Sequence, residues 1–215
     1  RGLMLTDEDA KNANDYKRYK LTDTGISPRS VPGQKNCTFV ASSYEHDEYG
    51  FEREEEEIRV AMHNKRFKKL EEAAKEIEPN AVKFYGNGYA DLTIVSWGSP
   101  KGPIREAMRM LEQEDIFANF YQIVFMSPFP TKQMKQILST AKKVVVIENN
   151  KTGQLAELIR AKTCLNTDNR ILRYDGRPFS PEDICNGIKE ILNGQNVSVV
   201  EFSKHGIINV LKAEA

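Results

Sequence analysis

The chain has 215 residues, 40% of them hydrophobic and 29% charged, and its 31 Lys and Arg balance 31 Asp and Glu. Such a neutral chain gives no electrostatic case for nucleic acid, an anionic membrane surface or an acidic substrate. No apolar run approaches the roughly 20 residues of a membrane span, and a secretory apolar core is missing too.

Cys37, Cys164 and Cys185 are widely spaced. That suggests reduced thiols in a cytoplasmic compartment and excludes the clustered thiolates of an iron–sulfur centre. The chain opens on Arg1, directly at a helix-start pattern, which reads as a piece of a longer polypeptide or a processed one.

Thr6 and Asp9 stand at capping-box spacing, so a short helix is expected to about residue 15. Over residues 16–50 periodicity disappears. Gly25, Pro28, Pro32, Gly33 and Gly50 punctuate a long arm, yet Tyr16, Tyr19, Phe39, Tyr44 and Tyr49 make it too aromatic for a disordered linker. An arm of this length is expected to pack on something. Within it, Pro28 and Pro32 stiffen the backbone around Ser27 and Arg29. A cation held this way can meet a carboxylate bidentately or pair with an acid on a neighbouring domain. Glu45, His46, Asp47 and Glu48 look like a metal box, but adjacent residues of an extended segment point to opposite sides and cannot converge on one ion. His46 is either a base or substrate contact, or part of a surface ion-pair loop with Asp47.

A long helix is expected over 52–78, with acids Glu54 to Glu57 first and Lys65, Arg66, Lys68 and Lys69 later, as the helix dipole favours. Glu78-Pro79 ends it. The pattern then changes to strand–helix repeats. Strands are expected at 92–97, 120–126, 144–147 and 170–174, and helices at 103–113, 131–140, a third running on from Leu155, and 181–192. The last opens on Ser180-Pro181-Glu182-Asp183, an N-cap with Pro in the first turn. This alternation is the mark of right-handed crossovers and a mostly parallel α/β sheet. The tail carries two apolar runs, around Val197 and around Ile207. They read as an edge strand, a hairpin or a partner-facing segment. The chain accordingly divides into an arm and long helix (1–80), an α/β domain (81–195) and a tail (196–215).

Val144 to Ile147 are four consecutive apolar β-formers, expected to be buried on both faces. Glu148, Asn149, Asn150, Lys151 and Thr152 then make a polar turn, and Gly153 and Gln154 lead into a helix. Ligand or partner contacts in open α/β sheets gather at such strand ends; a plain turn is the bland alternative. Gly98, Ser99 and Gly102 lie between a strand and a helix, where backbone N–H groups can meet an anion. The Lys-Ser/Thr of a nucleotide-binding loop is missing there, and Gly86-Asn87-Gly88 precedes its strand and reads as a turn. No catalytic residue set and no metal set is complete.

Taken together, RGLMLTDEDA, YKRYKLTDTGISPRSVPG, YEHDEYGF, MHNKRFKKL, IVSWGSPKGPIREA, IVFMSPFP and VIENNKTGQLAELIR resemble the carboxyl-terminal part of the α subunit of 2-oxoacid:ferredoxin oxidoreductases, especially the 2-oxoglutarate type. The resemblance covers residues 1–192 and leaves the tail unexplained. It implies a three-layer α/β/α domain like the carboxyl-terminal domain of transketolase, preceded by an extended arm and a long helix. It also implies a parent enzyme that uses thiamine diphosphate, Mg2+, iron–sulfur clusters and coenzyme A, none of them bound by this segment. The partners implied are the β subunit, the pyrimidine-binding domain of the α chain, a γ segment or subunit, and ferredoxin. In this resemblance Glu148, Asn149, Gly153 and Gln154 match a recurring segment, whose polar groups are expected to be satisfied across an interface. Two other readings stand beside it: a self-contained coenzyme A- or nucleotide-binding module using Gly98–Gly102 and Gly153, and a homodimer joined through arm and tail.

Overall fold

The computed structural model describes residues 2–167, 169–194 and 197–212, with the side chains of 197 and 198 left aside. Arg1, the boundary drawn at 195/196 and residues 213–215 lie outside the described residues. The chain forms two compact units, Arg1–Glu76 and Ile77–Ala215.

In the first unit, helix α1 (Asp7–Lys11) carries the expected capping box between Thr6 and Asp9. It stops at Asn12 rather than near residue 15, because only Ala10 offers it a buried contact. Helix α2 (Glu56–Ile77) starts four residues later than expected. Residues before it are taken by extended pairing instead: His46 bridges Glu52, and Arg53 N–H donates to Glu45 O at 3.0 Å. The aromatic arm packs on α2. Gly25 lies in the left-handed region (φ +71°), where a Cβ would meet Lys65 O at 2.4 Å and Lys69 N at 2.8 Å. Only glycine lets the arm lie this close to the helix backbone. Arg66 clamps the arm a second time, through Glu45 at 2.6 and 3.0 Å.

In the second unit a 3-10 turn (Glu78–Asn80) leads into strand β1 (Val82–Tyr85). Four residues with a mixed burial pattern gave no sequence signal for this strand. There follow β2 (Leu92–Trp97), α3 (Lys101–Glu112), β3 (Ala118–Ile123), α4 (Thr131–Thr140), β4 (Val144–Glu148), α5 (Gln154–Thr163), β5 (Asn169–Arg173), α6 (Pro181–Asn193), β6 (Val197–Ser203) and β7 (Gly206–Lys212). Strand β3 begins two residues before the expected start and ends three before the expected end. Ala118 and Asn119 pair with Leu92 and Thr93, whereas the register with β2 ends at Ile123 and Val124 N–H donates to Ala81 O, beside β1. Helix α3 starts at Lys101, so Pro103 sits inside its first turn, where no N–H is needed.

The seven strands run in the order β1-β3-β2-β4-β5-β6-β7. β3, β2, β4, β5 and β6 are parallel, while β1 and β7 are antiparallel at the two edges. The tail is therefore a hairpin continuing the sheet. Strand periodicity sorts the core into two layers. Val145 and Ile147 point to the side covered by α3 and α6, with Ile104, Leu111, Ile184 and Ile188. Val144 and Val146 point to the side of α4 and α5, with Met134, Leu155 and Ile159. The result is the three-layer α/β/α arrangement, with β4 buried along its whole length.

Candidate functional site at the carboxyl ends of β2 and β4

β2 continues through α3 to β3 on one side, and β4 continues through α5 to β5 on the other. The two neighbours therefore part at their carboxyl ends, and the gap is the switch point where open α/β sheets hold their ligands or partners. A crevice of about 230 Å³ opens there, lined by Trp97, Gly98, Ser99, Pro100, Glu148, Asn149 and Asn150. Its floor is fixed by Ser96, fully buried, whose hydroxyl donates to Ile147 O at 2.7 Å and ties the two strand ends together. Ser96→Ala is expected to cost about 1–2 kcal/mol in denaturant unfolding, because a buried carbonyl loses its side-chain donor.

Glu148 differs from its expected place. It is the last residue of β4 rather than the first of the turn, and it is 1% exposed. Its carboxylate accepts from Leu155 N–H at 2.7 Å, Ala156 N–H at 3.2 Å and Asn150 Nδ2 at 2.8 Å. The first-turn donors of α5 need an acceptor and the helix dipole favours an anion there. Glu148 supplies both from inside the sheet. Asn150 completes the seal: its Oδ1 accepts from Gly153 N–H at 2.7 Å and Gln154 N–H at 3.2 Å. Gly153 itself is buried and left-handed (φ +72°), and a Cβ there would lie 3.0 Å from the Arg170 side chain. The polar groups of this turn are thus largely satisfied within the unit. Asn149 is exposed, with one long contact from Nδ2 to Arg177 O at 3.5 Å.

Across the crevice Trp97 is 45% exposed at the end of β2. Gly98 and Ser99 are exposed beside it, and Gly102 lies in the first turn of α3. Among the described residues the lining offers one hydroxyl, one indole and two amides, but no histidine or lysine to activate the Ser99 hydroxyl. Its single carboxylate is spent on α5. What it can present is an apolar aromatic plate beside an amide. Sequence reasoning missed Trp97, although an aromatic at the carboxyl end of a central strand was the signal.

The remaining candidates lie in the first unit. Ser27 Oγ donates to Lys20 O at 2.8 Å. Arg29 is fixed by its backbone, which pairs with the segment around Met4: its N–H reaches Leu3 O at 2.9 Å, and Leu5 N–H reaches its carbonyl at 3.0 Å. Asp47 builds a turn, accepting from Tyr49, Gly50 and Phe51 N–H at 2.9 to 3.1 Å and from Arg53 Nε at 3.1 Å. His46 lies against the Tyr19 ring, centroids 4.0 Å apart, with Nδ1 at 2.9 Å from Asp47 O. Hydrogen bonds from Arg66 hold the Glu45 carboxyl below the usual carboxylate range. The four-residue box is therefore an ion-paired loop, and among the described residues no group of three or more His, Cys, Asp or Glu is placed to hold a metal.

Residues 90–184, which include the whole crevice, match the family model described as pyruvate:ferredoxin oxidoreductase core domain II. The chain is 38% identical over 182 residues to the 2-oxoacid:ferredoxin oxidoreductase subunit alpha of Saccharolobus solfataricus, covering 84% of this chain and 28% of that one. It is also 38% identical over 203 residues to subunit alpha of 2-oxoacid:ferredoxin oxidoreductase 2 of Aeropyrum pernix, covering 93% and 30% respectively. Among solved structures it is similar to the 2-oxoglutarate:ferredoxin oxidoreductase of Magnetococcus marinus with 2-oxoglutarate, coenzyme A and succinyl-CoA bound. That likeness has a TM-score of 0.71 and 36% identity over 81% of this chain and 30% of the other. The chain thus spans about three tenths of the length of the curated relatives it matches.

Proposed function

We propose, from the premise that this chain belongs to the α subunits of the 2-oxoacid:ferredoxin oxidoreductases, that it serves such an enzyme as a scaffold and interface rather than as a catalyst by itself. The parent reaction is oxidative decarboxylation: a 2-oxoacid, coenzyme A and oxidised ferredoxin give acyl-CoA, CO2 and reduced ferredoxin. The 2-oxoglutarate type is favoured by the ligands named for the Magnetococcus marinus relative. The α/β unit takes the part of the transketolase-like carboxyl-terminal domain, docking on the pyrimidine-binding domain of the α chain and on the β subunit. A γ segment and ferredoxin complete the assembly.

The observation that carries this reading is the chemistry of the switch-point crevice. Glu148 is consumed by α5, and what faces outward is Trp97 beside Asn149. Thiamine diphosphate bound through Mg2+ would supply the carbanion chemistry, and it needs free oxygen donors around the ion. The crevice's one carboxylate, Glu148, is spent on α5, which leaves a hydroxyl and an exposed amide but no anionic oxygen for the ion, so its residues do not fit that group. An exposed tryptophan flanked by an amide is instead the composition of an interface anchor.

Two measurements test the proposal. The isolated chain, given thiamine diphosphate, Mg2+, 2-oxoglutarate, coenzyme A and an electron acceptor, is expected to show no turnover; turnover would overturn the scaffold reading. In the complete enzyme, Trp97→Ala is expected to weaken subunit assembly by about 2 kcal/mol, or roughly thirtyfold, with Asn149→Ala acting in the same direction more weakly. A variant complex that assembles fully but is inactive would make the crevice a ligand site instead.

A further inference from the structure

Gly25 brings the 25–29 loop onto the turn of α2 that carries Lys65 and Lys69. Lys65 Nζ donates to Gly25 O at 3.0 Å. The arm and the helix thereby enclose a second cleft of about 230 Å³, lined by Arg18, Arg29, Lys65 and Lys69 among the apolar Leu3 and Ile26. Among the described residues no carboxylate lines it.

Lys65 and Lys69 are four residues apart on one helix face, a like-charge spacing that weakens a helix. Among the described residues none of the ion pairs includes Arg18, Lys65 or Lys69. Burial, and then the charges of Lys69, Arg18 and Arg66, push the Lys65 ammonium below the ordinary lysine range. The Glu48 carboxylate opposes this, and it is engaged by Lys17 at 3.1 Å and by Leu21 N–H at 2.8 Å. Arg18 lies over the Tyr19 and Phe39 rings at 5.3 and 5.7 Å, within cation–π range of both. Arg29 is held by its backbone pairing with the Met4 segment.

We propose that this cleft is a binding site for a phosphate-bearing anion, with Arg18, Arg29, Lys65 and Lys69 as its cationic wall. A single carboxylate needs one forked arginine. Four cations around so small a space suit a compact group of higher charge, with lysines as point charges and arginines as forks. The volume falls below that of a site for a whole drug-sized ligand, so the cleft takes the phosphate end and leaves the remainder outside. This site lies in the arm unit and stands independently of the interface role proposed above.

Titration calorimetry of the full chain with inorganic pyrophosphate at low salt tests it, with orthophosphate and glutarate as comparison anions. One pyrophosphate per chain is expected, bound at least tenfold more tightly than orthophosphate or glutarate. Lys69→Gln is expected to weaken it about tenfold, the scale of one charge-assisted contact. Lys69→Arg should restore binding, and Lys132→Gln on α4 should leave it unchanged. Circular dichroism of Lys69→Gln checks that the fold is retained. Absence of pyrophosphate binding at millimolar concentration, or full binding by a folded Lys69→Gln, would overturn the proposal. Glutarate binding as tightly as pyrophosphate would overturn the phosphate assignment.

Discussion

Glu148→Ala is expected to lower the unfolding free energy by about 3–4 kcal/mol, a fall of about 10 °C in Tm by far-ultraviolet circular dichroism. The side chain is 1% exposed and accepts three hydrogen bonds, two of them from the backbone of α5. Truncation leaves Leu155 and Ala156 N–H buried without an acceptor, and it opens a cavity beneath the turn. Glu148→Gln keeps the volume but turns an amide N–H toward donors, so about half the loss is expected. A loss under about 1 kcal/mol for Glu148→Ala would mean that the first turn of α5 finds other acceptors, and the internal seal would have to be abandoned.

The second large effect is expected at Gly25. An alanine there must adopt φ +71° and place its Cβ 2.4 Å from Lys65 O, a backbone atom that cannot swing aside. The left-handed conformation alone costs about 1–2 kcal/mol. Together with the displacement of the loop, Gly25→Ala should weaken arm packing by about 3 kcal/mol. Opening of the arm would then rise about a hundredfold, read as faster limited proteolysis within residues 16–50. The same variant should lose pyrophosphate binding, since the loop forms one wall of the cationic cleft. Unchanged proteolysis would show that α2 can move to admit the methyl group.

Different physical signals made different parts of this molecule legible. β2, β4 and the helices α4 and α6 follow from apolar runs and capping residues, because burial on both faces and the Ser180 capping box leave local marks. β1 left none: it is a four-residue edge strand whose pairing with β3 is entirely non-local. The arm had the composition of a packed segment, but that it packs on α2 depends on contacts distant in sequence, the close approach at Gly25 and the Arg66–Glu45 pair. The turn after β4 was expected to turn its polar groups toward another surface. The carboxylate of Glu148 instead faces inward, since the donors it satisfies, at Leu155 and Ala156, lie seven and eight residues later. Charge order along the chain likewise hid the cleft. Lys65 and Lys69 read as an ordinary helix face until Arg18 and Arg29, distant in sequence, are brought beside them.

The positions of β1 and β7 at opposite margins of the sheet have a mechanical consequence. Within the α/β unit β1 starts at one margin, at Val82, and β7 ends at the other, at Lys212. Six interstrand spacings separate those margins, about 29 Å at the usual strand separation. Tension applied between the two points therefore pulls across the ladders, peeling strands apart one hydrogen bond at a time. It does not load many bonds together in shear. The unit should yield softly from its margins inward, and β4, the middle strand of the sheet, would be among the last to part.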